Sequence, residues 1–94
     1  MKELEIIVKN DTGLHSRPAD VFVRTAKLFE SKITVSKAEN SVNAKTIIKV
    51  ILLNVSQDDT IKITADGPDE EKAISELKML IESDFEKINE AVKI

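Results

Sequence analysis

Thr46-Ile47-Ile48-Lys49-Val50-Ile51-Leu52-Leu53 is the stretch whose reading decides the fold. Its β-branched residues, taken alone, pass as a buried strand. Its flanks argue for a short helix: Asn43 or Ala44-Lys45 can lead into one, and Asn54 can adopt the left-handed conformation that stops one. The choice sets whether the middle of the chain adds to a sheet or covers one.

The surrounding elements are easier to read. Leu4, Ile6 and Val8 alternate with Glu3 and Glu5, the period of a half-buried strand, with Ile7 as the exception. Asp11-Thr12-Gly13 closes it as a turn. Ala19, Phe22, Val23, Ala26 and Phe29 then fall at helical spacings, which predicts a first helix over 16–29. Lys32-Ile33-Thr34-Val35-Ser36 alternates again, and Val42 begins a short return strand after Glu39-Asn40-Ser41, where Asn40 is the expected positive-φ residue. Ser56-Gln57-Asp58-Asp59 reads as a turn, and Ile61, Ile63 and Ala65 as the inner face of a last strand. Asp66-Gly67-Pro68-Asp69-Glu70-Glu71 opens a helix, with proline in the first turn and acids at its positive end. Ile74, Leu77, Ile81, Phe85 and Ile88 form one stripe, so this helix is expected to run past residue 85.

With the middle stretch helical, the order is β-α-β-β-α-β-α. That is an α+β, open-faced two-layer sandwich: a four-stranded antiparallel sheet covered on one face by three helices. Ninety-four residues, 41% of them hydrophobic, suit one domain over residues 1–94 with one core. There is no cysteine and one histidine, which excludes disulfides and thiolate chemistry and leaves too few ligands for a zinc site; no metal or cofactor is expected. Charged residues make up 33%, no apolar run is long enough to span a bilayer, and Met1-Lys2-Glu3-Leu4-Glu5 lacks the marks of a signal peptide, so a cytoplasmic protein without membrane insertion is expected. A net charge of −3 and three aromatic residues, all Phe, disfavour nucleic-acid binding.

The chemistry concentrates at Gly13-Leu14-His15-Ser16-Arg17-Pro18. A helix start offers backbone N–H groups without intrahelical partners and about half a positive charge, a ready anion site. An imidazole, with an ordinary pKa of about 6.5, keeps a neutral nucleophilic nitrogen near neutral pH. Arg17 adds a planar fork of donors for phosphate oxygens, Ser16 a backbone N–H and a hydroxyl that could cap the helix, and Pro18 suits a first helical turn. His15 is therefore the candidate phosphoacceptor and Arg17 the candidate phosphate stabiliser. The commoner fate of each, a surface histidine and a solvated arginine, is outweighed by their conjunction.

Gly13-Leu14-His15-Ser16-Arg17-Pro18-Ala19 resembles the active-site signature G-L-H-x-R-P-A of the HPr family, the histidine phosphocarriers of the bacterial sugar phosphotransferase system. Val42-Asn43-Ala44-Lys45-Thr46-Ile47 is similar to the family's second signature, and Ile63 to Ala73 to its last strand and helix, in the same order over residues 1 to about 85. The resemblance favours the helical reading of residues 47–53 and implies the same sandwich. It implies phosphorylation of the Nδ1 nitrogen of His15, an enzyme I as donor and sugar-specific enzyme II A components as acceptors. Thr46 stands where many members carry a serine phosphorylated by an HPr kinase, though an N-cap serves equally well as its role. If the helices flank His15 as in the family, Arg24, Lys27, Lys45 and Lys49 form a basic rim, and part of Ile47, Ile48, Ile51 and Leu52 an apolar docking centre.

A monomeric phosphocarrier completed by its partners, and not a self-sufficient enzyme, is the first reading, since one histidine and no nucleotide loop leave too few groups. The alternatives are a nitrogen-type or regulatory carrier whose phosphohistidine signals, and an interaction module with a vestigial motif. The joint presence of His15, Arg17 and Pro18 weakens the last.

Overall fold

The contested middle stretch is helical. The computed structural model describes residues 1–10 and 13–83, with only the main chain of Ser16. Its elements are β1 Lys2–Ile7, α1 Ser16–Ala26, β2 Lys32–Lys37, β3 Asn40–Asn43, α2 Ile47–Leu52, β4 Thr60–Asp66 and α3 Glu70–Glu82. In α2 the burial does not alternate as a strand's would: Val50 and the following Leu53 are buried, while Ile48, Ile51 and Leu52 are exposed. Asn54 ends the helix at φ 58°, the left-handed stop expected of it. Thr46 occupies the N-cap position, but its hydroxyl makes no capping hydrogen bond; the main chain starts the helix, with Val50 N–H donating to Thr46 O at 3.1 Å.

The sheet order is β1-β4-β2-β3, antiparallel throughout. Alternation puts Ile61, Ile63 and Ala65 of β4, Ile33 and Val35 of β2, and Leu4 and Ile6 of β1 on the inner face. Phe22, Ala19 and Ala26 of α1 and Ala73, Leu77 and Ile81 of α3 complete the core. Phe22, fully buried, is its largest side chain, and truncation to alanine there costs about 3–5 kcal/mol. The other face is polar: Thr34 pairs with Thr64, and Lys62 Nζ lies 3.8 Å from Glu3.

Three sequence expectations shift. The first helix ends at Ala26, three residues early, because hydrogen bonds tighten to three-residue spacing: Leu28 N–H donates to Thr25 O and Phe29 N–H to Ala26 O. Phe29 still points into the core, from the loop. At the β2–β3 hairpin the positive φ falls on Ala38, at 54°, and not on Asn40. Asn40 is already paired with Lys37, so the turn is Ala38-Glu39, and the first of two hairpin-turn residues is where positive φ is required. Pro68 precedes α3 instead of entering its first turn, since Glu70 N–H closes a turn onto Gly67 O at 3.3 Å. The expected extension of α3 past residue 85, with Phe85 and Ile88, lies outside the described residues, as do Asp11 and Thr12.

Asp69, at the N-cap of α3, makes no side-chain cap to its own helix. Its carboxylate instead accepts from Glu30 N–H at 2.9 Å, Ser31 N–H at 3.0 Å and the Ser31 hydroxyl, clasping the loop after α1. Gly67 lets the two segments meet, since a Cβ there would lie 2.7 Å from Ser31 Cα. Glu70 reaches back to Gly67 N–H at 3.0 Å, a reciprocal start to the helix.

Candidate functional site

His15 is the N-cap residue of α1, extended at φ −126°, ψ 157°, half-buried, and its ring makes no capping hydrogen bond. Ser16 and Arg17 follow as the first two helical residues, Arg17 exposed, and Pro18 sits in the first turn as expected. The first turn of α1 carries no acidic residue, whereas that of α3 carries Glu70 and Glu71. The partial positive charge at the start of α1 is thus not offset by its own side chains. The hydroxyl expected of Ser16 lies outside what is described.

The turn that delivers His15 is built against the loop 54–59. Leu14 N–H donates to Val55 O at 3.0 Å, and Gly13 N–H to Asn10 O at 3.2 Å. Asn10 Nδ2 binds Gly13 O at 2.8 Å. Gly13 has φ 62°, and a Cβ on it would stand 2.1 Å from Val55 O, so only glycine fits. Leu14, fully buried, anchors the turn from below. The loop is also tied to the end of β1: Val8 N–H donates to Asp59 O at 2.9 Å, and Asp58 N–H to Val8 O at 2.6 Å.

Asp59 and Lys37 brace that loop. Asp59 Oδ2 accepts from Ser56 N–H at 2.8 Å and lies 2.9 Å from Lys37 Nζ, which also donates to Asn54 O at 2.6 Å. The Lys37 ammonium first, and the Ser56 N–H second, hold the Asp59 carboxyl below the usual carboxylate range. In the sequence Asp59 reads only as a turn residue, and nothing marks Asn10, Lys37 or Val55. Their roles depend on long-range pairing or on a main-chain carbonyl, and neither leaves a mark on local pattern.

The expected rim divides. Arg24 is paired along its own helix with Asp20 at 3.1 Å, and Lys45 Nζ donates to Phe29 O at 2.6 Å, tying the end of β3 to the loop after α1. Both are thereby partly committed to the fold. Lys27, the C-cap of α1, and Lys49 on α2 are exposed. Ile48, Ile51 and Leu52 form an exposed apolar face on α2, with Ile47 half-buried beside them; Ile48 and Leu52 are 66% and 71% exposed, far more than a core helix would leave. α2 packs against α1, and the loop that follows α2 carries the Val55 carbonyl that binds Leu14.

A family model described as "PTS HPr component phosphorylation site" matches residues 2–83. The chain belongs to the HPr family. It is 45% identical over 80 residues to phosphocarrier protein HPr of Haemophilus influenzae, covering 85% of this chain and 92% of that one. It is 43% identical over 83 residues to the HPr of Borreliella burgdorferi, covering 88% and 96%. The crystal structure of an HPr from Thermoanaerobacter tengcongensis matches with a TM-score of 0.89 at 53% identity, covering 90% of this chain and 96% of that one. The general role of an HPr, phosphocarrier of the phosphotransferase system, therefore applies to this chain. The four-stranded sandwich expected from the sequence is the HPr fold. Among the described residues no helix is long and apolar enough to cross a membrane, and no group of three or more His, Cys, Asp or Glu could hold a metal ion.

Proposed function

We propose that His15 accepts a phosphoryl group from a phosphorylated enzyme I and passes it to an enzyme II A component. The observation that carries this reading is the placement of the His15 ring at the N-cap of α1 without a capping bond, ahead of an N-terminus that lacks an acid of its own. The ring nitrogen attacks phosphorus as the bond from phosphorus to the donor breaks, and the donor keeps that electron pair. The other ring nitrogen retains its proton. The phosphoryl oxygens then lie toward the first N–H groups of α1 and the Arg17 guanidinium, which stabilise their charge. Passage to the acceptor is the reverse step with a new nucleophile, so the site must hold the phosphoryl group without trapping it.

Donor and acceptor meet the exposed face of Ile48, Ile51 and Leu52, with Lys27 and Lys49 steering acidic surfaces toward it. The cytoplasm, where phosphoenolpyruvate charges enzyme I, is the place for this exchange. Thr46, exposed at the head of α2, is in reach of an HPr kinase. Incubation with phosphoenolpyruvate and enzyme I, read by intact mass, should add one phosphoryl group that acid removes and base preserves. Label retained in His15→Ala would overturn the assignment. Arg17→Ala should slow transfer while shifting stability by only about 0–1 kcal/mol.

A further inference from the structure

We infer that Asp59 and Lys37 are positioning residues for the phosphoacceptor turn, acting on it through the single peptide unit that joins Val55 to Ser56. This rests on the reading of His15 as the phosphoacceptor.

That peptide unit is held at both ends. Its N–H donates to Asp59 Oδ2 at 2.8 Å, and its carbonyl accepts the Leu14 N–H at 3.0 Å, one residue before His15. A carboxylate on the N–H polarises the unit, so that its oxygen becomes a stronger acceptor for Leu14. Lys37 sets the carboxylate in place at 2.9 Å and, with the same ammonium, fixes Asn54 O at 2.6 Å, the carbonyl of the preceding peptide. The plane of the Val55–Ser56 peptide is therefore set from the end of β2, across the sheet from β1. Gly13 presses against the same oxygen, so a tilt of that plane moves the turn that carries His15.

The loop has other anchors that keep it folded. Val8 exchanges hydrogen bonds with Asp58 and Asp59, and Gln57 Nε2 reaches Lys9 O at 3.2 Å. Loss of the Lys37–Asp59 pair thus loosens the aim of the turn more than its existence. Small errors of aim matter in group transfer, where a displacement of about 1 Å can cost on the order of a hundredfold in rate.

Charge alone would act differently. If Lys37 and Asp59 only steered an acidic donor, removing the cation would slow association and removing the anion would speed it. Positioning predicts that both removals slow the step in bound donor. Steady-state phosphorylation of wild type, Lys37→Met, Asp59→Asn and Lys37→Arg by enzyme I and phosphoenolpyruvate, well below each melting temperature, separates the two. The expected result is a fall of about threefold to tenfold in kcat for Lys37→Met and for Asp59→Asn, with KM within about twofold and recovery in Lys37→Arg. NMR should show the Leu14 amide proton moved upfield and exchanging faster in the first two variants. Rates moving in opposite directions, an unchanged kcat, or an unmoved Leu14 amide would each overturn the proposal. Wild type unlabelled at His15 would instead sink the phosphoacceptor reading, and the Leu14 amide would still report whether the pair controls the turn.

Discussion

Gly13 faces the carbonyl of Val55 so closely that a Cβ on it would stand 2.1 Å from that oxygen. The same oxygen takes the Leu14 amide, so one main-chain atom both fits against the turn and bonds it. In Gly13→Ala the methyl group must displace this contact, and φ 62° is strained for alanine in any case. We expect a loss of about 1–3 kcal/mol in denaturant unfolding and a larger loss in phosphoryl uptake, because the error is introduced two residues from His15. Uptake and stability at wild-type levels would show that the loop 54–59 moves aside freely.

Lys45 holds Phe29 O at 2.6 Å. Its removal as Lys45→Met keeps the aliphatic stem and deletes the charged donor, so the loop after α1 loses one tie to β3. A half-buried charge-assisted hydrogen bond contributes about 1 kcal/mol after solvent competition, and thermal melting should report a fall of that size. Lys49→Met, at an exposed position on α2, should leave melting unchanged and raise KM for the donor instead. The reverse pattern would return Lys45 to the rim and make Lys49 structural.

Much of this was legible in the chain because it was written in local patterns. Alternation gave the strands, Asn54 marked the end of α2, and Gly13 to Pro18 marked the helix start with its histidine. What was not legible depended on register or on partners distant in sequence. The positive φ moved from Asn40 to Ala38 because Lys37 pairs with Asn40, a fact about β2 against β3 that the turn residues do not contain. Arg24 and Lys45 read as rim charges, and the local pattern does not show that each also has a partner within the fold, Asp20 for Arg24 and Phe29 O for Lys45. Asp69 reads as one of the acids at the positive end of α3, yet its carboxylate serves a loop 38 residues earlier in the chain.

Acid should expose that last contact. The Ser31 hydroxyl first, then the Glu30 N–H, hold the Asp69 carboxyl below the ordinary value of about 3.9. A carboxyl whose folded pKa is depressed stabilises the fold above its unfolded value, and that contribution is lost as pH falls through the lowered folded value. Melting temperature should therefore hold above about pH 5 and drop as pH falls below about 4. Asp69→Asn should melt lower at neutral pH and lose less on acidification, with Asp59 and Glu70, both also lowered, keeping part of the slope. Parallel melting curves for the two proteins across this window would mean that Asp69 does not contribute through its charge.

Thr46 heads α2 from an exposed position, with Lys45 before it and Ile47, Ile48 and Lys49 after it. A phosphate on its hydroxyl would add about −1.5 to −2 charges next to the face proposed to receive the donor. The helix does not depend on that hydroxyl, which makes no capping bond, so the fold should tolerate the change. Donor capture should not, because an acidic surface is repelled at short range and an apolar contact beside Ile48 becomes harder to desolvate. Thr46→Glu carries about half the charge and serves as the proxy. We expect a several-fold rise in KM for enzyme I at low salt, partial recovery as salt screens the charge, and unchanged helical content by circular dichroism. A KM equal to wild type at low salt would place residue 46 outside the docking surface.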